Sequence, residues 1–424
     1  MKNNLQRAFK IENRINDLSQ FSDDKYHLKR IFGSKAFLEC SHTIETWMRE
    51  AGLETSVDTI GNIRGRLSST HPNAKTFVIA SHYDTAINSG RYDGTLGIIM
   101  GIDVIENIKA QGISLPFHIE VIAFSEEEGI RFQSAYLKNQ VMVDIRNSEW
   151  PETRKTQPNA LLKDLQPLNH AVLKKDIFNL RDWLGYFEIH IDEGTTLYDK
   201  KNPVGVVNAI VGQKRIEITF IGESGHAGTV PMNQRRDALS AAAKFILSVE
   251  KYAFKEKKNI LATVGKLEIQ DAAANLIPGR VSCTVDIRSE DSKLLSDAYE
   301  IINELCEKIC DKRNIYFEWK LKHEIEPVNC SKKFRKLLSS AIEEKHLEVI
   351  NLVCGSGHDA ASVSQVAPVG MLFVKCLKDL NHHPLATVEI KDIATALDVA
   401  DRFILLISEM AEKNIKKKFS ENEG

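Results

Sequence analysis

The chain of 424 residues contains no apolar run of about 18 residues, so no segment of it is read as a bilayer span. Its opening, "MKNNLQRAFKIENRINDLSQF", lacks the apolar stretch of a secretory leader, and none is expected there. No two cysteines have C-x-x-C spacing. The seven (Cys40, Cys283, Cys306, Cys310, Cys330, Cys354 and Cys376) are odd in number and scattered, which suits reduced core thiols of a cytoplasmic protein. An excess of either charge is also missing. With 56 Lys and Arg against 58 Asp and Glu, a net charge of -2 gives no basis for nucleic acid or a membrane surface as partner. Internal repeats and low-complexity tracts are absent as well. What remains is a composition of 43% hydrophobic and 27% charged residues, ordinary for a globular chain, and a length that predicts two domains.

Residues 1 to about 60 read as helices, among them "KAFLECSHTIETWMREAG", with Gly52 as a stop. From about Ile60 the pattern is α/β. "TFVIASHY" and "FHIEVIAFS" are buried strands, and "DGTLGIIMGIDVIENIKAQG" between them is a helix closed by Gly112. Such alternation predicts a mostly parallel sheet, with sites forming beyond the strand C-termini. A second unit, 213–327, interrupts this pattern. Its order is strand ("KRIEITFIG"), helix ("RRDALSAAAKFILSVEKYAF"), strands ("ATVGKLEI", "GRVSCTVDIR"), helix ("SKLLSDAYEIINELCEKICDKRN") and strand ("IYFEWKLKH"), the split βαββαβ arrangement of a ferredoxin-like domain. "NLIPG" is read as a small turn, and "KRIEITFIG" or a helix as an edge or face for pairing. The α/β character then resumes, so 1–212 and 328–424 are expected to form one domain.

Three potential metal ligands, His82, Asp84 and Asp93, sit at the mouth of the strand "FVIAS". After the next strand comes "SEEEG", with Glu126, Glu127 and Glu128. Alone, three consecutive carboxylates read as a solvated acidic turn. Beside the His82 loop they read as ligands for a cation and a general base for water. His190, in "FEIHIDEG", is by itself a core histidine or a ligand, and His382, in "NHHPL", a turn residue or a ligand. Together His82, Asp93, Glu128, His190 and His382 supply the nitrogen and oxygen donors of borderline or hard divalent ions.

Seven motifs in order, "SHYDT", "GRYDGTLG", "EEEGIRF", "HIDEG", "GHAGTVPMNQRRDAL", "NLIPGRVSCTVDIR" and "GSGHDA", resemble the metal-dependent M20 amidohydrolases. The similarity is to the branch of allantoate amidohydrolase, N-carbamoyl-L-amino-acid hydrolase and β-ureidopropionase. The resemblance implies two divalent ions per subunit, zinc or manganese, with cobalt or nickel also accepted. One ion would be held by His82, Asp93 and His190, the other by Asp93, Glu128 and His382. Glu127 would be the general base, and Asp84 would orient His82. Arg288 and Asn275 would grip the carboxylate of a small substrate and His226 would reach its amide oxygen, while Gln213 and Gly357 would be further substrate contacts. The inserted domain would serve as lid and as the interface of a homodimer. An aminoacylase or dipeptidase of the same fold, or a non-catalytic binding protein, is the alternative. Two positions depart from the family: Glu193, itself an expected substrate contact, stands where "HIEQG" relatives have a Gln that contacts substrate, and Ala386 where an acid follows the last ligand His. His383 is atypical too.

Overall fold

A computed structural model describes residues 2–58, 61–130, 182–256, 259–377 and 386–422. In chain order the elements run α1 (Lys2–Ser19), α2 (Lys35–Glu50), β1 (Glu54–Val57), β2 (Ile63–Leu67), β3 (Thr76–His82), α3 (Thr95–Ala110) and β4 (His118–Phe124). After them come β5 (Trp183–Ile191), α4 (Thr196–Lys200), β6 (Val204–Ile210), β7 (Gly212–Ile221), β8 (Gly225–His226), α5 (Ala238–Lys255) and β9 (Leu261–Ile269). The chain continues through β10 (Leu276–Ile277), β11 (Arg280–Ser289), α6 (Ser292–Arg313), β12 (Tyr316–Ile325) and β13 (Val328–Asn329). It ends with α7 (Lys332–Glu343), β14 (Asn351–Cys354), α8 (Asp359–Val363), β15 (Val369–Val374) and α9 (Ile390–Asn422). Two compact units result: Met1–Asn208 with Cys330–Gly424, and Ala209–Asn329.

The first unit is built on a mixed sheet ordered β1-β2-β4-β3-β5-β15-β6-β13, with β14 joined to β6. Its centre, β4-β3-β5-β15, is parallel, and its flanks are antiparallel. The central strands are covered on both faces, and every residue of β3 and β15 is buried. Helix α3 is buried nearly all round, lying on β3 and β5 with α1 against it. The reading of residues 1 to 60 as helical fails at β1. Gly52, at φ +76°, ends α2, and "ETSV" then pairs antiparallel with β2 from Glu54↔Arg66 to Val57↔Ile63.

In the second unit a four-stranded sheet has the order β12-β7-β11-β9. Helices α5 and α6 cover one face, burying Phe220, Phe245, Val285 and Ile302. β7, which takes in all of "KRIEITFIG" but its last glycine, is no edge, because β11 and β12 occupy both its sides. "NLIPG" is more than a turn, because Leu276 and Ile277 form a two-residue ladder with His226 and Gly225.

One close approach ties the fold to the site. A Cβ on Gly97 of α3 would lie 2.2 Å from the Ile189 carbonyl oxygen and 2.8 Å from Ser81 Cβ. Gly97 therefore lets α3 sit on β5 one residue before His190. Gly97→Ala is expected to destabilise by about 1–3 kcal/mol, the scale of overpacking, and to displace the α3 N-terminus. Urea unfolding checks this, with Gly265→Ala as control, since nothing lies within 4 Å of a Cβ there. Equal midpoints for the two variants would refute the assignment.

Candidate metal centre

The C-terminal ends of β3, β4 and β5 bring His82, Glu127 and His190 to one edge of the parallel core. His82 Nε2 lies 3.6 Å from Asp93 Oδ1, 3.4 Å from His190 Nε2 and 4.0 Å from Glu127 Oε2. His190 Nε2 is 3.2 Å from the same Asp93 oxygen. The opposite ring nitrogens are both engaged, His82 Nδ1 at 3.1 Å from Asp84 O and His190 Nδ1 at 3.2 Å from Ile191 O. Asp93 Oδ2 accepts from Ser89 Oγ at 2.9 Å. All three side chains are buried, and their ligand atoms lie within 4.8 Å of one another. Two imidazole nitrogens 3.4 Å apart repel unless a proton or a cation lies between them. With a carboxylate oxygen converging on the same point, the donor set fits a borderline divalent ion.

Gly94 makes this convergence possible. It adopts φ +65°, and a Cβ there would fall 2.4 Å from His82 O and 2.6 Å from the His82 ring. Only glycine allows the turn between Asp93 and α3 to lie against His82. Asp84 joins the loops, accepting from Glu127 N at 2.9 Å and from Glu128 N at 3.1 Å. Glu128 Oε1 accepts from Ala86 N at 3.1 Å. The crowding of acids is visible in their ionisation. Burial, countered by His82 and reinforced by Asp359 and Glu128, holds Glu127 well above the usual carboxyl range. Burial, with Asp93 adding to it, raises Glu128 to about 8. Burial opposes ionisation of Asp93 as well, yet hydrogen bonds to His190 and His82 hold it well below its ordinary value. Burial also disfavours charge on His82, but Asp84 and Asp93 outweigh it and raise the imidazole. Such a pocket stabilises added positive charge.

The sequence reading missed a second layer. His358, Glu188, Tyr186 and Ser356 stand beside this cluster. The His358 ring packs edge-on against His190, with centroids 4.5 Å apart at 68°. His358 Nδ1 lies 3.1 Å from Glu188 Oε1, while Glu188 Oε2 accepts from Tyr186 Oη at 2.8 Å and from Ala360 N at 3.1 Å. Ser356 Oγ donates to Glu193 and lies 3.4 Å from His358 Nε2. Gly357 sits in the same loop, between Ser356 and His358. One signal was present. Tyr186, Glu188 and His190 alternate along a strand otherwise apolar, so they share one face.

In the second unit the structure brings some expected residues together and separates others. Ala227 N donates to Asn275 O at 2.9 Å, so His226 and Asn275 are neighbours. Arg288 is the strand partner of Gln213, and both bond Asp286, Arg288 Nε at 2.8 Å. The two pairs lie at opposite ends of the sheet, since β11 runs from Arg280, opposite Ile221, to Arg288, opposite Gln213. That span is roughly 26 Å at about 3.3 Å per residue. Within one copy of the unit, Arg288 and Asn275 therefore do not grip one carboxylate together. His382 and His383 lie outside the described residues, while Ala386 just beyond them is buried.

Donors gathered at the carboxyl edge of a parallel-centred α/β sheet, with carboxylates beside them, have the layout of a metal-dependent hydrolase. The chain belongs to peptidase family M20/M25/M40, whose model matches residues 78–406. It is 33% identical over 416 residues to allantoate deiminase of Arabidopsis thaliana, covering 90% of this chain and 79% of that protein. It is 31% identical over 379 residues to N-carbamoyl-L-amino-acid amidohydrolase of Pseudomonas sp., covering 88% and 91%. Among solved structures, an amidase of the hydantoinase/carbamoylase family from Burkholderia multivorans superposes with a TM-score of 0.84 at 26% identity, over 95% of this chain and 98% of that one.

Proposed function

We propose that this hydrolase cleaves a linear amide or ureido C–N bond in a small carboxylate-bearing substrate, such as allantoate or an N-carbamoyl amino acid. The observation that carries the reading is the buried His82–Asp93–His190 cluster with Glu127 4.0 Å from His82 Nε2, in a chain similar along most of its length to deiminases and carbamoylases of the family. His82, Asp93 and His190 would hold one divalent ion, and Asp93, Glu128 and His382 a second. Zinc, manganese, cobalt and nickel all accept such donors. Bound there, the ions supply Lewis-acid polarisation of the scissile carbonyl and make water more acidic. Glu127 takes the proton of the attacking water and passes it to the departing nitrogen as the C–N bond breaks. Asp84 holds the His82 ring and ties the Glu127 loop to it. His226, Asn275, Gln213, Arg288 and Gly357 bind the substrate. Seven free, buried cysteines support a reducing compartment, the cytoplasm. Among the described residues no helix is long and apolar enough to cross a membrane. The test is turnover by manganese-loaded protein, read as ammonia release from allantoate and N-carbamoyl amino acids and as release of the free amino acid from N-acyl amino acids and dipeptides. Turnover confined to the last two groups would overturn the reading.

The separation of His226 and Asn275 from Arg288 and Gln213 supports a homodimer in which each substrate is held by residues of both protomers. The free edges of the inserted sheet, β9 and β12, suit such pairing, and Leu261 and Leu267 of β9 are exposed. Mixing inactive Glu127→Gln and His226→Ala protomers should then restore about half a dimer's activity in each heterodimer, because one of two symmetric sites is intact. A confirmed heterodimer without activity would count against the shared site.

A further inference from the structure

We propose that Glu193 and His358, together with His190, form an additional seat for a divalent transition-metal ion, and that an ion bound there inhibits the enzyme. The inference rests on the reading of His82, Asp93 and His190 as a metal-binding cluster.

Three observations carry it. The ligand atoms of His190, Glu193 and His358 lie within 4.8 Å of one another, the two histidines buried and Glu193 partly so. Donor atoms around a tetrahedral zinc are about 3.3–3.5 Å apart, given zinc–ligand distances near 2.0–2.2 Å. The set is therefore at most about 1.5 Å wider than such an ion needs. His358 is also prepared as a ligand. Its Nδ1 faces Glu188, which Tyr186 Oη and Ala360 N hold in place, so Nε2 is directed toward Ser356 and Glu193. A carboxylate behind one imidazole nitrogen fixes the ring so that the other can bind metal, and Asp84 stands behind His82 in the same way. Finally, Glu193 has no Lys or Arg ion-pair partner among the described residues, and the Ser356 hydroxyl it accepts from is a further oxygen donor.

The chemistry selects the occupant. Two imidazoles and one carboxylate favour zinc, cobalt, nickel or copper over magnesium or calcium. His190 belongs to both clusters, and a neutral imidazole has one lone pair for one ion. An ion between Glu193 and His358 therefore competes with the His82–Asp93 pair for His190, or else stands beside it in the space a substrate approaches. Either way, excess metal lowers turnover.

The test reads binding rather than activity first. Full-length protein is equilibrated by dialysis against rising zinc and its bound zinc is counted by mass spectrometry, wild type beside Glu193→Gln, a near-isosteric change at a partly exposed side chain, with a thermal melt of both. Wild type should take up one more zinc per subunit than the variant, or the same ion at least tenfold more tightly. Magnesium should not reproduce the difference. In steady-state assays, the zinc concentration that halves turnover should rise at least tenfold in the variant. Superimposable uptake curves, with the tighter ions present in both proteins, would overturn this seat and leave the His82 cluster standing. No tightly held zinc in either protein would overturn the cluster and the seat together.

Discussion

Glu127→Gln protein should fold, keep its metal and lose at least about two to three orders of magnitude in kcat, the scale of a missing general base. The substitution preserves the shape of the side chain and removes only its ability to take a proton. Retention of metal is expected because His82, Asp93 and His190 converge without Glu127. The loop should also hold, since Asp84 fixes it through the backbone N–H groups of residues 127 and 128 rather than through their side chains. Metal content, a thermal melt and turnover on one sample check the three parts of the expectation. Near-normal turnover in a fully loaded variant would remove Glu127 from the role.

Removal of the metal should have the other large effect. Lewis-acid stabilisation of several kcal/mol corresponds to about three orders of magnitude or more in rate, so chelated protein should be inactive and should recover with zinc or manganese. Stability should fall with it. His82 Nε2 and His190 Nε2 are left 3.4 Å apart beside buried acids, and an ion at 1,000 times its Kd contributes about 4 kcal/mol to the folded state. The melting temperature should therefore drop on chelation and rise with added metal in a concentration-dependent way. A metal-free sample, verified by mass spectrometry, that retained its activity and its melting temperature would refute the metal-dependent mechanism.

The legible parts of this molecule were those encoded locally. β3 and β4 are short, mostly apolar runs, and the polar residues at their ends, His82 and Glu126 to Glu128, mark the loops of the candidate site. The order of elements in the inserted unit follows from alternating strand and helix patterns. What stayed hidden depends on which segments meet. β1 is four residues long and acquires its identity from β2, and a short segment after a helix carries little period of its own. His358 and Glu188 are separated in sequence by the whole inserted unit and more, and the parallel neighbours β5 and β15 bring their surroundings together. Asn275 and Arg288 are near in sequence, yet the extended strand between them advances about 3.3 Å per residue and carries them to opposite ends of the sheet.

The way the chain enters and leaves the inserted unit has a consequence for its history and handling. Ala209 pairs with Asn329 and Ile210 with Val328, and Cys330 N donates to Asn208 O at 2.9 Å. The outgoing and returning strands are thus hydrogen-bonded neighbours, and the whole of Ala209–Asn329 is topologically the tip of one hairpin. With its own apolar core around Phe220 and Phe245, that tip meets the conditions for a folding module. A genetic cut at this hairpin joins ends already side by side, so excision, transplantation to another scaffold or circular permutation there leaves the strand ladder of the larger sheet intact up to residue 208.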